Sequence, residues 1–517
     1  MDRSNRIRSV ICLAVALAAL SLSVFRSSSP VWIAAWIAPI VLMRFTRDGR
    51  WPFAVLLGFL VIQVAVIIGM IPLFSMVGET TVKVDAGFML NWQIKSGTLL
   101  LAPIILVPFL LDKALHKRLP PWAAMLVYPS ALATMELVCS LTFGTLGSFG
   151  ETQYELQPLV MTISFFGLAG VSFLIGWSAS ILNDLWEQSW DLRSLGRRGV
   201  VFLSIAGAFV LCGSLMVAFP ARTQGSLAIA GITTDVVFQD QMGESGLYLT
   251  EISQLGPSEY AQVVRSPQAR VEEMRSKTEE AIDRGAQVIV WQEASVLLEP
   301  PLADALIDEM RELARSEDVY ILVSYERLLD QSERRNRPMR NTSVFLTPAG
   351  EIAWEYAKAF PGAGFEDVFT ESGPRDIPYL DTPYGRIGQV LCADMVHPYY
   401  LRQAALRDID LLLVPSWDTV SYTPFLTYTS AYRAVEDGFT MVRVTGDGQS
   451  AVIDPYYRQW ANQSTFDHGT VNFYANVPVV SRATFYGRLG FLFCYLVAAF
   501  LAALAVWAVI RSVRTPR

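Results

Sequence analysis

Long apolar runs dominate both ends of the chain. Seven runs precede residue 222 and one more follows the central region, and most approach the roughly 20 residues that a helix needs to cross a bilayer. The pattern therefore predicts about eight membrane spans, at 7–25, 30–45, 52–76, 94–112, 122–143, 159–183, 199–219 and 488–510.

Positive charge alternates between the connections of these runs. Clusters precede the first run and follow the second, fourth, sixth and last, with Arg3, Arg6, Arg8, Arg44, Arg47, Arg50, Lys113, Lys117, Arg118, Arg193, Arg197, Arg198, Arg511, Arg514 and Arg517. The intervening loops carry little beyond Arg26 and Lys83. By the positive-inside rule, we expect both termini in the cytoplasm and the large central region on the other side. A cleaved signal peptide is the alternative for the first run, but no A-x-A-like site follows it.

Between 225 and 484 the pattern changes to short β-rich runs that alternate with amphipathic stretches. Predicted strands are 226–233, 286–291, 319–325, 342–346, 386–391, 411–414, 440–444 and 450–454, and predicted helices are 267–284, 301–316, 400–407 and 427–437. The alternation indicates an α/β domain, layered helix–sheet–sheet–helix if two βαβ-type halves pack together. We expect a transmembrane bundle over 1–222, an extracytoplasmic domain over 223–486, and a final helix with a cytoplasmic tail over 487–517.

Composition agrees with a membrane protein. Only 17% of the 517 residues are charged, whereas soluble proteins have about 25%, and the mean hydropathy is +0.35. The net charge of −7 comes with no basic patch, so no nucleic-acid partner is expected. Four of the five cysteines lie in apolar runs, and no CxxC or CxxCH occurs. Zinc, haem attachment and a disulfide framework therefore lack support.

Three residues of the central region are candidates for chemistry. Glu293 follows a buried strand, where open α/β sheets place their sites, although position alone favours a loop carboxylate that happens to follow a strand. Lys358 precedes a glycine-containing segment at 361–364, yet a solvated strand-end lysine is the commoner case. Cys392 ends the strand at 386–391, and a lone cysteine is usually a small core residue. The predicted topology makes it an unpaired thiol outside the cytoplasm, which is unusual.

The three residue types form one chemical unit. A thiolate is the nucleophile of cysteine chemistry, and a neighbouring ammonium lowers the pKa of the thiol. A carboxylate can take the thiol proton and return it to a leaving group. Competing sites are poor, because His116, His397 and His468 are scattered and neither HExxH nor GxSxG occurs.

A strand ending in Glu, then Tyr-x-Lys, then a strand ending in Cys is the order of the nitrilase, or carbon–nitrogen hydrolase, superfamily. With seven spans before such a domain and one after, the chain resembles the apolipoprotein N-acyltransferase family. The likeness is carried by 143–174, 290–294, Asn341-Thr-Ser with Pro348-Ala-Gly350, 433–438, 442–443, 448–455 and 484–488.

The resemblance implies a nitrilase-like four-layer α-β-β-α domain and a role for each residue. Glu293 would be the general base, Lys358 the stabiliser of the intermediate and Cys392 the nucleophile. Glu366 falls where the family has a further functional glutamate, and we expect Asn341, Asp394 and Trp417 to support the site or contact substrate. The implied reaction moves an acyl chain from a phospholipid to Cys392 as a thioester, then to the N-terminal amine of a lipid-modified lipoprotein at the bacterial inner membrane, without a cofactor.

The chain departs from the family pattern around the nucleophile. It has Ala393-Asp394 where the family has Tyr-Glu, Gly-Ala-Gly-Phe-Glu366 where the family has Pro-Phe-Gly-Glu, and Pro-Ser-Trp417-Asp in the next loop. Three hypotheses therefore remain. The first is lipoprotein N-acylation through a groove gated by 361–375 and 418–426. The second is a membrane-tethered amidase or nitrilase, or a divergent paralogue with another acyl acceptor, and the third is a non-catalytic lipid-binding or scaffold protein.

Overall fold

The computed structural model describes residues 3–24, 29–80, 98–142, 144–145, 147–221, 225–234, 267–329, 337–363, 366–418 and 423–514. The chain forms two compact units. One holds Met1–Ile71, Gly97–Pro220 and Thr484–Arg517, and the other is centred on Ala221–Ala483.

The first unit is helical. Its helices are α1 (Arg3–Leu22), α2 (Trp32–Asp48), α3 (Trp51–Thr80), α4 (Thr98–Leu115), α5 (Pro121–Ala124), α6 (Val127–Thr142), α7 (Gln157–Phe166), α8 (Leu168–Glu187), α9 (Gly196–Ala218), α10 (Phe485–Leu489) and α11 (Leu492–Arg514). Each predicted apolar run is helical over most of its described residues, while 94–97 lie outside them.

Five helical segments in the described part of the chain are long and apolar enough to cross a membrane: Trp51–Gly69, Pro121–Thr142, Leu168–Glu187, Gly196–Ala218 and Leu492–Val513. The bundle of apolar helices is confirmed. The number of eight spans stays a prediction, because α1, α2 and α4 are 20, 17 and 18 residues long and carry charged residues.

The predicted bounds of the sixth span, 159–183, were wrong. The apolar run is broken at Gly167, which has φ 67° and ψ −179°, a conformation that essentially only glycine adopts. Helix α7 ends before this residue and the membrane-length helix α8 begins after it. Hydropathy could not reveal the break because the sequence is apolar on both sides of it.

Some of the arginines that orient the predicted topology are buried in ion pairs. The Arg47 guanidinium contacts the Asp112 carboxylate at 2.7 Å, with side chains 2% and 0% exposed. The Arg44 guanidinium contacts Asp48 and lies 3.3 Å from Glu187. These contacts join α2 to α4 and α8 at one end of the bundle. Because Arg44 and Arg47 are neutralised in this way, the other basic residues of the clusters determine the predicted orientation more than these two do.

The second unit contains two mixed sheets. Its strands are β1 (Ser226–Ile232), β2 (Val288–Trp291), β3 (Leu297–Leu298), β4 (Tyr320–Leu328), β5 (Met339–Leu346), β6 (Ile352–Ala357), β7 (Tyr379–Thr382), β8 (Gly385–Gln389), β9 (Leu411–Trp417), β10 (Thr440–Gly446), β11 (Gln449–Ile453), β12 (Gln459–Ser464) and β13 (Phe473–Pro478). One sheet has the order β13-β1-β2-β4-β5-β6 with β3 beside β4, and the other β12-β11-β10-β9-β8-β7. Longer helices span Pro267–Asp283, Pro300–Glu317, Pro398–Leu406 and Phe425–Asp437.

The two sheets pack face to face between outer helices. Apolar side chains of both sheets, such as Ile229, Phe345, Leu411 and Val442, form one buried cluster between them. On the outer face of the first sheet, residues of β4 pack against the helices at 267–283 and 300–317. The helices at 398–406 and 425–437 cover the second sheet in the same way. This is the nitrilase-like α-β-β-α layering that the sequence led us to expect.

Parallel pairing brings the ends of several strands to one edge. In the first sheet β1, β2 and β4 are parallel, as are β8, β9 and β10 in the second. Strand β5 is antiparallel to both β4 and β6, so β6 runs in the direction of β4. Polar residues that follow β2, β6, β8 and β9 therefore meet at the same edge of the sandwich, where α/β proteins bind ligands.

Candidate active site

Lys358 lies at the centre of a buried polar cluster at this edge. Its Nζ donates to Glu293 Oε1 at 2.7 Å and to Glu366 Oε2 at 2.6 Å. The Asn341 amide Nδ2 bridges the same two carboxylates, at 2.8 Å from Glu293 Oε1 and 3.1 Å from Glu366 Oε1. The backbone N–H of Gly362 also donates to Glu366. The structure therefore brings together four residues that lie up to 73 positions apart in the chain.

Cys392 faces this cluster from the second sheet. Its φ of 36° is left-handed, a strained conformation for a non-glycine residue that is common at functional sites. The Sγ atom lies 3.6 Å from the carbonyl oxygen of Trp417. The N–H of Trp417 donates to Glu293 Oε2 at 2.9 Å. The backbone of Trp417 thus contacts both the thiol and the carboxylate, which holds the predicted nucleophile and base next to each other.

The charges of the site influence one another strongly. Burial would lower the pKa of Lys358, but Glu293 and Glu366 outweigh it and raise this pKa well above its usual value. Burial raises the pKa of Glu293, against the opposing effect of Lys358. Burial and then the charge of Glu293 raise the pKa of Cys392 to about 12, although Lys358 acts to lower it.

These shifts define the resting state. Lys358 is an ammonium and Cys392 a neutral thiol at neutral pH. Lys358 acts to lower the pKa of the Cys392 thiol, as expected, but burial raises that pKa by more. The thiol must therefore lose its proton to a base during reaction rather than before it.

Asp394, one of the residues that departs from the family pattern, ties the nucleophile segment to the lysine segment. Its carboxylate accepts from the Tyr356 hydroxyl at 2.6 Å and from the backbone N–H groups of Leu391 and Phe360, both at 2.9 Å. Burial raises the pKa of Asp394 to about 6, against the lowering effect of these bonds. Asp394 therefore fixes the backbone on both sides of the site.

Replacement of Asp394 by asparagine is expected to loosen this connection. An amide has one acceptor oxygen instead of two, so at least one backbone N–H is left facing an NH₂ group, at a cost of about 1–3 kcal/mol. The melting temperature and the turnover should both fall, the latter roughly tenfold. Asp381→Asn, at an exposed carboxylate, is the matched control. Equal behaviour of the two variants in thermal unfolding and activity would contradict the role given to Asp394.

Two further charged features were missed by sequence reasoning. Asp418, the residue after Trp417, forms a fully buried ion pair with Arg443 at 2.6 Å. The charge of Arg443 acts to lower the pKa of Cys392. Glu326, on β4, is buried near the cluster. Glu326 stands in a strand that also contains Ser324 and Arg327, so the sequence gives little signal for it, and its sequence neighbours do not reveal what faces it. In the described ranges, no group of three or more His, Cys, Asp or Glu residues is arranged to hold a metal ion.

Comparison with known proteins agrees with this fold. Residues 252–495 match the carbon-nitrogen hydrolase family. The chain is 25% identical over 232 residues to the apolipoprotein N-acyltransferase of Shewanella oneidensis, covering 40% of this chain and 44% of that protein. It is 26% identical over 197 residues to the apolipoprotein N-acyltransferase of Pseudomonas aeruginosa, covering 33% and 37%.

Other relatives are amidases. The deaminated glutathione amidase of Mus musculus is 27% identical over 181 residues, with 31% of this chain and 56% of that protein covered. Among solved structures, an amidase from Nesterenkonia sp. covers 52% of this chain and 95% of its own, with 17% identity and a TM-score of 0.38. This chain spans about half the length of these curated relatives, or less. Residues 252–495 are thus similar to the carbon-nitrogen hydrolase family, and the curated relatives that the chain matches are consistent with the apolipoprotein N-acyltransferase family.

Proposed function

We propose that this protein is a membrane N-acyltransferase that moves a fatty acyl chain from a phospholipid to the N-terminal amine of a diacylglyceryl-cysteine lipoprotein. The observation that carries the proposal is the arrangement of the buried Glu293 and Lys358 with the half-buried Cys392 in a region that matches the carbon-nitrogen hydrolase family. The apolar helices of the first unit support a membrane substrate, and the relatives named apolipoprotein N-acyltransferase support the acceptor.

In the first half-reaction, Glu293 takes the proton of Cys392 while Sγ attacks the ester carbonyl of the phospholipid. Lys358 and a backbone N–H after Cys392 stabilise the negative oxygen of the tetrahedral intermediate. When the intermediate collapses, the C–O bond to the glycerol oxygen breaks and Glu293 returns the proton to that oxygen. The products are a lysophospholipid and an acyl thioester on Cys392.

In the second half-reaction, the amine of the lipoprotein attacks the thioester carbonyl. Glu293 accepts a proton from the attacking amine and returns it to the leaving Cys392 sulfur, so that an amide forms and the free thiol is regenerated. The high pKa of the thiol suits a mechanism in which Glu293 moves the proton in both halves. The ammonium of Lys358 persists throughout, held by Glu293 and Glu366.

For location, we propose a multi-pass protein of the bacterial inner membrane, with both termini cytoplasmic and the catalytic domain outside. The alternation of Lys and Arg along the loops supports this orientation. The domain limits at 222 and 486 belong to the same proposal. Residues 364–365 and 419–422, within the segments expected to gate the site, lie outside the described residues, so the gate stays a prediction from sequence.

Transfer to a synthetic lipopeptide tests the proposal. Purified full-length protein in phospholipid vesicles should add one acyl group to a diacylglyceryl-cysteine peptide with a free N-terminus, seen as a mass increase of the peptide and an equal yield of lysophospholipid. The same peptide with an acetylated N-terminus is the control and should stay unchanged. The amidase relatives motivate one alternative, in which water resolves the thioester. Release of free acid or ammonia without any peptide acylation would favour that alternative and contradict N-acyl transfer.

A further inference from the structure

Glu326 is a buried carboxyl group beside the cluster of Lys358, Glu293 and Glu366. Glu326 is 2% exposed. In the β4–β5 ladder it lies directly opposite Asn341. Directly opposed residues of antiparallel strands project from the same face, with Cβ atoms about 5 Å apart. A glutamate and an asparagine at such positions can reach each other through their side-chain ends.

The Asn341 amide has a defined orientation. Its Nδ2 donates to Glu293 Oε1 and Glu366 Oε1. Rotation of the amide by 180° would place Oδ1 against two carboxylates and is unfavourable. The Oδ1 atom must therefore point away from Glu293 and Glu366.

Two acceptor atoms at this place lack a donor. Within the part of the chain that the structure describes, Asn341 Oδ1 and Glu326 Oε2 are both buried without a hydrogen-bond partner. A carboxylate oxygen and an amide oxygen only accept, so an ionised Glu326 and Asn341 cannot bond to each other. One proton on Glu326 converts its Oε2 into a donor and satisfies both atoms.

We propose that Glu326 is a protonated carboxylic acid whose Oε2–H donates to Asn341 Oδ1 and thereby holds the Asn341 amide toward Glu293 and Glu366. Glu326 is in this sense a positioning residue, because it acts on the base and the lysine through Asn341. Its effect on turnover rests on the proposed function, whereas the presence of the proton does not.

Electrostatics favour the same protonation state. Among the described ionisable groups that act on Glu326, Glu366 and Glu293 raise its pKa and Lys358 lowers it. Burial is the largest influence, and the net result is a pKa well above the usual value. Lys358 already balances two carboxylates at 2.7 Å or less, and among the described groups that act on Glu326 there is no second cation to compensate a third buried negative charge.

Two substitutions of Glu326 distinguish the effect of a hydrogen-bond donor at this position from the effect of a charge. The glutamine in Glu326→Gln keeps the shape and can donate to Asn341 Oδ1 through its NH₂ group. The leucine in Glu326→Leu cannot donate and leaves Oδ1 unsatisfied, so the amide is free to rotate. Glu355→Gln, at an exposed glutamate on strand β6 of the same sheet, is the matched control.

We expect acyl transfer by Glu326→Gln to stay within about twofold of the unaltered protein, and kcat of Glu326→Leu to fall roughly tenfold with little change in KM. The pH profile of Glu326→Gln should be unchanged, since a neutral group replaces a neutral group. Infrared difference spectra at neutral pH should show a carboxylic-acid C=O band that disappears in both Glu326 variants and persists in Glu355→Gln.

The idea is overturned if no acid band is lost on replacement of Glu326, or if Glu326→Gln is as impaired as Glu326→Leu with a shifted pH profile. If Glu326→Leu does not fold, Glu326→Gln and the infrared spectra still decide whether Glu326 carries a proton. The rate at which iodoacetamide alkylates Cys392 provides a readout without lipopeptide. Absence of lipopeptide acylation in the unaltered protein would contradict the proposed function, while the spectra and the alkylation rates would still decide the state of Glu326.

Discussion

Replacement of Cys392 by alanine is expected to abolish acyl transfer and to remove the acyl adduct from the protein. Among Glu293, Lys358 and Cys392, only the Cys392 sulfur can carry an acyl group as a thioester. Loss of a catalytic nucleophile reduces turnover by about 10⁴-fold or more. The half-buried position of Cys392 beside Trp417 suggests that the smaller side chain is tolerated by the fold.

Intact-protein mass spectrometry after incubation with phospholipid vesicles measures the adduct. The unaltered protein should gain the mass of one acyl chain, which hydroxylamine should remove because it cleaves thioesters. Cys392→Ala should show no gain. Cys212→Ser, at an exposed cysteine of the helical unit, is the matched control and should keep the adduct. An adduct of unchanged yield on Cys392→Ala would exclude the thioester mechanism, and unchanged transfer activity in that variant would favour a non-catalytic role for the cluster.

Replacement of Glu293 by glutamine is expected to change two properties in opposite directions. Glutamine cannot accept the thiol proton, so the rate of acyl-adduct formation should fall about 10²–10⁴-fold. The charge of Glu293 is the second cause, after burial, of the high pKa of Cys392. Removing that charge should lower the thiol pKa from about 12, so the thiolate should form at lower pH in the variant.

Alkylation of Cys392 by iodoacetamide as a function of pH reports the thiol pKa directly. The pH midpoint of alkylation should move to lower pH in Glu293→Gln. It should stay unchanged in Glu355→Gln, the control in which an exposed glutamate is neutralised in the same way. Thermal unfolding of the same samples is needed, since an unfolded chain would also expose the thiol. A folded Glu293→Gln protein with an unchanged alkylation midpoint and unchanged acylation rate would show that Glu293 neither faces the thiol nor acts as its base.

Much of the fold was predictable from local patterns. The apolar runs predicted the helices of the first unit because a helix in lipid must be apolar along its whole length. Buried strands such as β2 and β10 were recognised because both of their faces are covered. Strands such as β7 and β12 were not predicted, because short edge strands with exposed positions lack a continuous apolar run. The break at Gly167 escaped for the opposite reason, since apolar residues continue across it.

The sequence by itself determined the order of Glu293, Lys358 and Cys392 and their positions at strand ends, and the resemblance attached roles to them. Only the tertiary structure decided which groups face each other. Glu326 and Asn341 are 15 positions apart, yet they meet because β4 and β5 pair in one register. Asp394 joins two segments that approach only when the sheets pack. Protonation states likewise depend on burial and on neighbouring charges, and both exist only once the chain has folded.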